Sequence, residues 1–277
     1  MVKKIVTVIL ILLILFTVGY AVYGIMNGQA LSELLPRAVI IICGALGTLF
    51  KMKGKDVRRP LSFYESQYPA QLKNAFVNDK ASRKKLLCAI RLYNEDRFGK
   101  AINKLIKLTQ KCNTAEDIYA VYIFLGLIFT DADMYPEAVH AYQVIIDRGV
   151  ADGEVYNNLG YVYTVTKDSE NAIANYRQAL RYDPKNAQAY HNIASIYFDN
   201  YRFDEAIEYS NKALECAPNM RHTLALLAII YSKIDNDEEA DKYFHMAVAQ
   251  GHNAESLRAA IKRYAALSEE DWNKENE

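Results

Sequence analysis

Signatures of catalysis are missing from this sequence. Its 277 residues hold no G-x-S-x-G, no Walker loop, no H-E-x-x-H and no dinucleotide-binding fingerprint. An enzyme reading has nothing to rest on, and no cofactor is expected. Metal-ligand spacing is lacking too. The four cysteines, Cys43, Cys88, Cys112 and Cys216, form no C-x-x-C and stand at no ligand spacing from histidine. They read as buried, reduced thiols, since free cysteine is among the most buried residue types. Net charge is absent as well, with 33 basic against 33 acidic residues. The balance hides an asymmetry: residues 1–60 carry eight Lys or Arg against Glu33 and Asp56, whereas 61–277 carry 25 basic and 31 acidic residues. A nucleic-acid binder carries a basic face, so the acidic remainder argues against nucleic acid as a partner.

Long uncharged runs are present, and they lie at the N-terminus. Ile5 to Met26 contains no charged residue. As a helix it would reach ~33 Å, enough for the hydrocarbon core of a bilayer. A cleaved signal peptide is the competing reading, but apolar signal regions are shorter. A second run, Ala38 to Phe50, is short by itself; a helix from Pro36 to Met52 would reach ~25 Å, at the low end for a span. A re-entrant or interfacial segment is its alternative. Lys3 and Lys4 precede the first run, Lys51 to Arg59 follow the second, and 27–36 hold neither Lys nor Arg. Positive flanks stay cytoplasmic, so both clusters are satisfied by an out-and-back hairpin. The expectation is a membrane anchor over 1–59 (segments 5–26 and 36–52, basic junction 51–59) that contacts lipid, with the remainder in the cytoplasm.

Beyond a linker and leading helix at 60–81, the sequence repeats. Units run 119–152, 153–186, 187–220 and 221–254, with a degenerate one at 82–118. Position 4 is large (Tyr122, Tyr156, Tyr190, Leu224) and position 8 small (Gly126, Gly160, Ala194, Ala228). Position 11 is aromatic (Phe129, Tyr163, Tyr197, Tyr231) and position 20 alanine (Ala138, Ala172, Ala206, Ala240). A ring usually holds position 24 (Tyr142, Tyr176, Phe244), and alanine position 27 (Ala179, Ala213, Ala247). Steps of three and four make an apolar stripe on each of two helices. The small residues let the helices approach, the rings fill the flanks, and Pro184 and Pro218 stop the second helix. Volumes are therefore kept in phase while solvated charges drift.

The pattern resembles the tetratricopeptide repeat family. The unit at 153–186 carries its whole signature: Tyr156, Leu159, Gly160, Tyr163, Ala172, Tyr176, Ala179 and Pro184. The fourth unit departs at Ser210, the second at Ile145 and Val150, and the fifth at His252. The resemblance implies an all-α solenoid of helix-turn-helix repeats, here preceded by transmembrane helices. Residues 255–267 would form a helix covering the exposed end of the stack, followed by a polar tail, 268–277.

The resemblance also implies a concave groove lined by positions 2, 5, 6, 9 and 12 of each first helix. These are Glu154, Asn157, Asn158, Tyr161 and Thr164 in the third unit, and Gln188, His191, Asn192, Ser195 and Phe198 in the fourth. The fifth unit offers His222 and the apolar Ala225, Leu226 and Ile229. Asn158 and Asn192 suit an extended peptide backbone, because a carboxamide both donates and accepts. Asn157, His191 and Asn192 stand where some relatives place a Lys/Arg clamp for acidic chain ends, so that partner class is not expected. His191 and His222 lack a third ligand, and no metal is expected. The function implied is a membrane-tethered adaptor for a protein or peptide. The alternatives are an outward-facing scaffold with one anchor and a self-associating assembly subunit.

Overall fold

The computed structural model describes residues 68–267. The chain divides into two compact units, 1–60 and 61–277, and every described residue belongs to the second. The apolar segments at 5–26 and 36–52, the basic junction 51–59, Cys43 and the tail with Trp272 lie outside the described residues. Among the described residues no helix is long and apolar enough to cross a membrane.

Twelve helices follow one another: α1 Pro69–Asn74, α2 Lys80–Asn94, α3 Phe98–Thr109, α4 Ala115–Asp131, α5 Tyr135–Asp147, α6 Gly153–Val165, α7 Ser169–Tyr182, α8 Ala187–Asp199, α9 Phe203–Cys216, α10 Arg221–Lys233, α11 Asp237–Ala249 and α12 Ala254–Ala266. From α2 to α11 they pair as successive hairpins, each packing on the next. Side-chain caps mark most helix starts. Asp79, Asp152, Asp168, Asn186, Asn236 and Asn253 each accept from backbone N–H groups of the following turn, and Thr114 with Asp117 forms a capping box.

The crossing inside each hairpin is built on the small residues. Gly126 of α4 lies under Tyr142 of α5, and Gly160 of α6 under Tyr176 of α7; both rings are fully buried. Between the two helices of each hairpin one non-glycine residue takes the left-handed conformation: Asp96, Asp133, Lys167, Tyr201 and Asp235, with φ between 57° and 63°. The next residue's N–H returns to a carbonyl five positions back, as Asp168 does to Tyr163 and Arg202 to Tyr197. That bond satisfies an orphan carbonyl at the helix end.

Second helices stop in two ways. Pro184 and Pro218 stand two residues past the ends of α7 and α9. In the second and fifth hairpins the proline is replaced by Val150 and His252, and the residue before it is glycine. Gly149 and Gly251 there adopt φ of 68° and 85°, a region glycine enters without strain. The turn is thus kept by exchanging one stop signal for another.

One expectation is corrected and another is extended. The described cysteines, Cys88, Cys112 and Cys216, are half-buried rather than buried. Helix α12 does more than cover the end of the stack. Leu257 joins Leu224, Ala228, Phe244 and Ala247 there, but Tyr264 and Leu267 pack on the cluster that holds Phe198, Leu226 and Ile230. The apolar face of α10 draws the helix across the first-helix side.

Candidate functional site

Successive first helices share one face of the stack, and the chain itself covers both ends of that face. At one end Tyr68, only 2 % exposed, sits edge-on to Phe124 of α4 at 6.0 Å. Its hydroxyl donates to Glu154 Oε1 of α6 at 3.3 Å. Burial, with the Glu154 charge, pushes the phenol well above its ordinary value. The segment after α1 is fastened by Asp117, which accepts from the Phe76 N–H at 2.6 Å and from the N–H groups of Asn113 and Thr114 at 3.1 and 3.2 Å. At the other end Tyr264 of α12 meets Phe198 of α8 edge-on at 5.2 Å, and Lys233 donates to the Leu267 carbonyl. Phe198 is 4 % exposed. It is therefore not an open apolar contact for a ligand, because α12 takes that place.

Between these ends lies a polar strip on α6 and α8. Tyr161 stands out of it, 51 % exposed. Asn158 Nδ2 reaches Glu154 Oε1 at 3.5 Å, and Gln188 Nε2 donates to Asn192 Oδ1 at 2.8 Å. Thr164 Oγ1 donates to the Gly160 carbonyl at 2.9 Å and lies 3.3 Å from the Tyr176 hydroxyl. Burial pushes the Tyr176 phenol up to about 12. Ser195 is half-buried. Asn157 Oδ1 is buried with no hydrogen-bond partner.

The histidines separate. His191 Nδ1 lies 3.1 Å from Thr223 Oγ1 of α10. Burial, then the His222 charge, lowers its pKa to about 4. His222 is exposed beside Arg221, with the His252 ring 6.3 Å away. Among the described residues no group of three or more His, Cys, Asp or Glu could hold a metal ion.

The structure thus joins Glu154 to Asn158 and Gln188 to Asn192. It leaves Tyr161 open, turns Thr164 inward, buries Phe198 under α12 and puts His222 at the margin. Three contributors were not expected from the sequence. Tyr176 is a core ring whose hydroxyl ends among strip residues; the signal was Tyr rather than Phe at position 24. Tyr68 and Tyr264 come from outside the repeats, and periodicity does not reach them.

The architecture is that of an all-α solenoid of tetratricopeptide type, and the sequence comparisons agree. Residues 167–200 match a TPR repeat model, and residues 187–220 and 223–257 match tetratricopeptide repeat models. Together these matches lie within residues 167–257. Among solved structures, a crystal structure of MamA is 20% identical, covers 62% of this chain and 96% of its own, and superposes with a TM-score of 0.53. YrrB, described as a TPR protein with an unusual peptide-binding site, is 18% identical, covers 70% of this chain and 98% of its own, and also gives 0.53. At these identities the likeness is one of fold. Comparison with curated proteins gives no match.

Proposed function

We propose that the chain is a non-catalytic, membrane-tethered adaptor that holds an extended protein segment across the strip between α6 and α8. The observation that carries this reading is the exposed Tyr161, a large ring in a polar strip whose two ends are covered by the chain itself. Around it, the carboxamides of Asn158 and Asn192 offer donors and acceptors to a peptide backbone. The ring supplies the apolar contact that anchors such interfaces. The description of YrrB as having a peptide-binding site supports the ligand class.

Tethering rests on the apolar segments 5–26 and 36–52, with Lys3 and Lys4 ahead of the first and Lys51 to Arg59 after the second, a pattern that favours a hairpin with the repeats on the cytoplasmic side. Lipid contact belongs to those segments, and self-association is the remaining partner reading. To test the adaptor, a photoreactive benzoylphenylalanine replaces Tyr161 in cells, with the same residue at the exposed Tyr182 as control. A discrete adduct at 161 and none at 182 is expected; an adduct at 182 alone overturns the strip. For the tether, protease added to intact and to opened cells reads the side: protection lost on opening is expected, and cleavage in intact cells sinks the cytoplasmic placement.

A further inference from the structure

Charge divides sharply within the repeats. Residues 68–113, which hold the first hairpin, carry 11 Lys or Arg against Asp79, Glu95 and Asp96, whereas residues 114–267 carry 13 against 22 acidic residues. The basic residues form two stripes. Lys80, Arg83, Lys84 and Arg91 recur at helical spacing along α2 and line one shallow depression together with Leu87 and Cys88. Lys100, Lys104 and Lys107 recur likewise along one flank of α3, clear of the buried Ala101, Leu105 and Leu108, and Lys111 follows in the turn after it. The stripes meet where Lys111 lies near Asp79, the cap of α2. Among the described residues the ion pairing of this hairpin is confined to Arg97 with Glu95, outside both stripes. No described helix stacks outside α2, since the α1 segment packs on α4 instead.

We propose that the first hairpin is a headgroup-binding face that docks this end of the solenoid on an anionic lipid surface. Lysine predominates, a compact charge suited to a diffuse anionic layer, whereas bidentate phosphate recognition favours arginine. The stripes contain no aromatic ring on which a base could stack. Leu87 lies inside the α2 stripe and Val77, 61 % exposed, stands just ahead of it, which suits the headgroup boundary. The acidic repeats beyond are repelled by the same surface, so the charge division sets an orientation. This face goes beyond the tether, because it uses residues 80–111 and none of 1–59.

The test mixes the full chain with vesicles of phosphatidylcholine alone or with added phosphatidylglycerol, and follows acetylation of each lysine by mass spectrometry. With anionic vesicles Lys84, Lys104 and Lys107 should react at least about threefold more slowly, Lys185 and Lys262 should be unchanged, and high salt should abolish the difference. Each substitution among Lys84→Gln, Lys104→Gln and Lys107→Gln should weaken the anionic-vesicle effect by roughly fivefold. Equal rates with both vesicles overturn the proposal, even where the chain floats with both, an outcome that supports the tether alone. Protection by anionic vesicles, in a chain that does not float with neutral ones, supports the face and removes the tether. Protection by duplex DNA but not by vesicles overturns the lipid assignment.

Discussion

The third and fourth repeats close the same helix crossing with different atoms. In the third, Gly160 lies against the Tyr176 ring, and a Cβ built on the glycine would stand 2.9 Å from two ring carbons. In the fourth, Ala194 faces the crossing, Ser210 stands in place of the ring, and both are fully buried. The rings of the fourth repeat gather one residue earlier, where Tyr209 lies 5.3 Å from Tyr197 and 6.3 Å from Tyr190. The two repeats thus fill the surroundings of the crossing with different side chains. The fourth arrangement leaves a flaw, since Ser210 Oγ is buried without a partner. It also lacks the hydroxyl that Tyr176 extends to Thr164.

The strongest way to break this comparison is to remove the ring from the third repeat. Tyr176→Ser leaves a cavity beside a glycine with nothing to fill it, and should cost about 3–5 kcal/mol in urea unfolding. A loss under about 1 kcal/mol would mean that the crossing collapses freely. Next comes the reverse error, adding volume under an intact ring. A Cβ on Gly126 would lie 2.4 Å from Tyr142 Cε1, closer than at Gly160, with the ring held in the core. Gly126→Ala should therefore cost about 2–3 kcal/mol net of the helix preference for alanine, and Gly160→Ala about 1. Equal midpoints for the two variants would contradict the ranking.

Titration sharpens the contrast on the first-helix face. Position 5 is Asn157 in the third repeat and His191 in the fourth, and only the histidine can take up a proton. Its folded pKa is lowered to about 4 by burial, so the unfolded chain binds the proton first. The stability held by neutral His191 is complete above its ordinary pKa and is lost as pH falls toward 4. Roughly 2 kcal/mol should disappear by pH 4.5, and His191→Gln should flatten that slope. An unchanged slope would show that His191 is already solvated. The smallest effect should be a gain: Ser210→Ala removes the unpartnered hydroxyl and should raise stability by about 1 kcal/mol.

The solenoid was legible in the sequence because packing fixes volume by phase. Gly160, Ala172 and Ala179 had to be small wherever two helices cross. The closing turns were less legible. Left-handed Lys167 and Tyr201 carry no glycine signal, and Gly149 and Gly251 stand one position ahead of where the missing prolines drew attention. The strip was legible only as a face. Ile123, Phe124, Ala225 and Leu226 share phase with Asn158 and Asn192, and phase places a residue without saying what lies over it. Phe198 and Leu226 read as groove-lining, yet they pack in one cluster with the chain's own Tyr264 and Leu267. Covering segments of that kind sit outside the period, so a periodic reading does not find them.

The left-handed residue between paired helices recurs every 34 positions from Asp133 to Asp235. Each closure is made by main-chain bonds inside its own hairpin, so it travels with any copied stretch of that length. Duplication or loss of one such stretch in the gene would add or remove a helix pair without disturbing the turns that remain. The two covering ends would be carried apart or together by one step, and inheritance could thereby adjust how long a segment the strip accommodates.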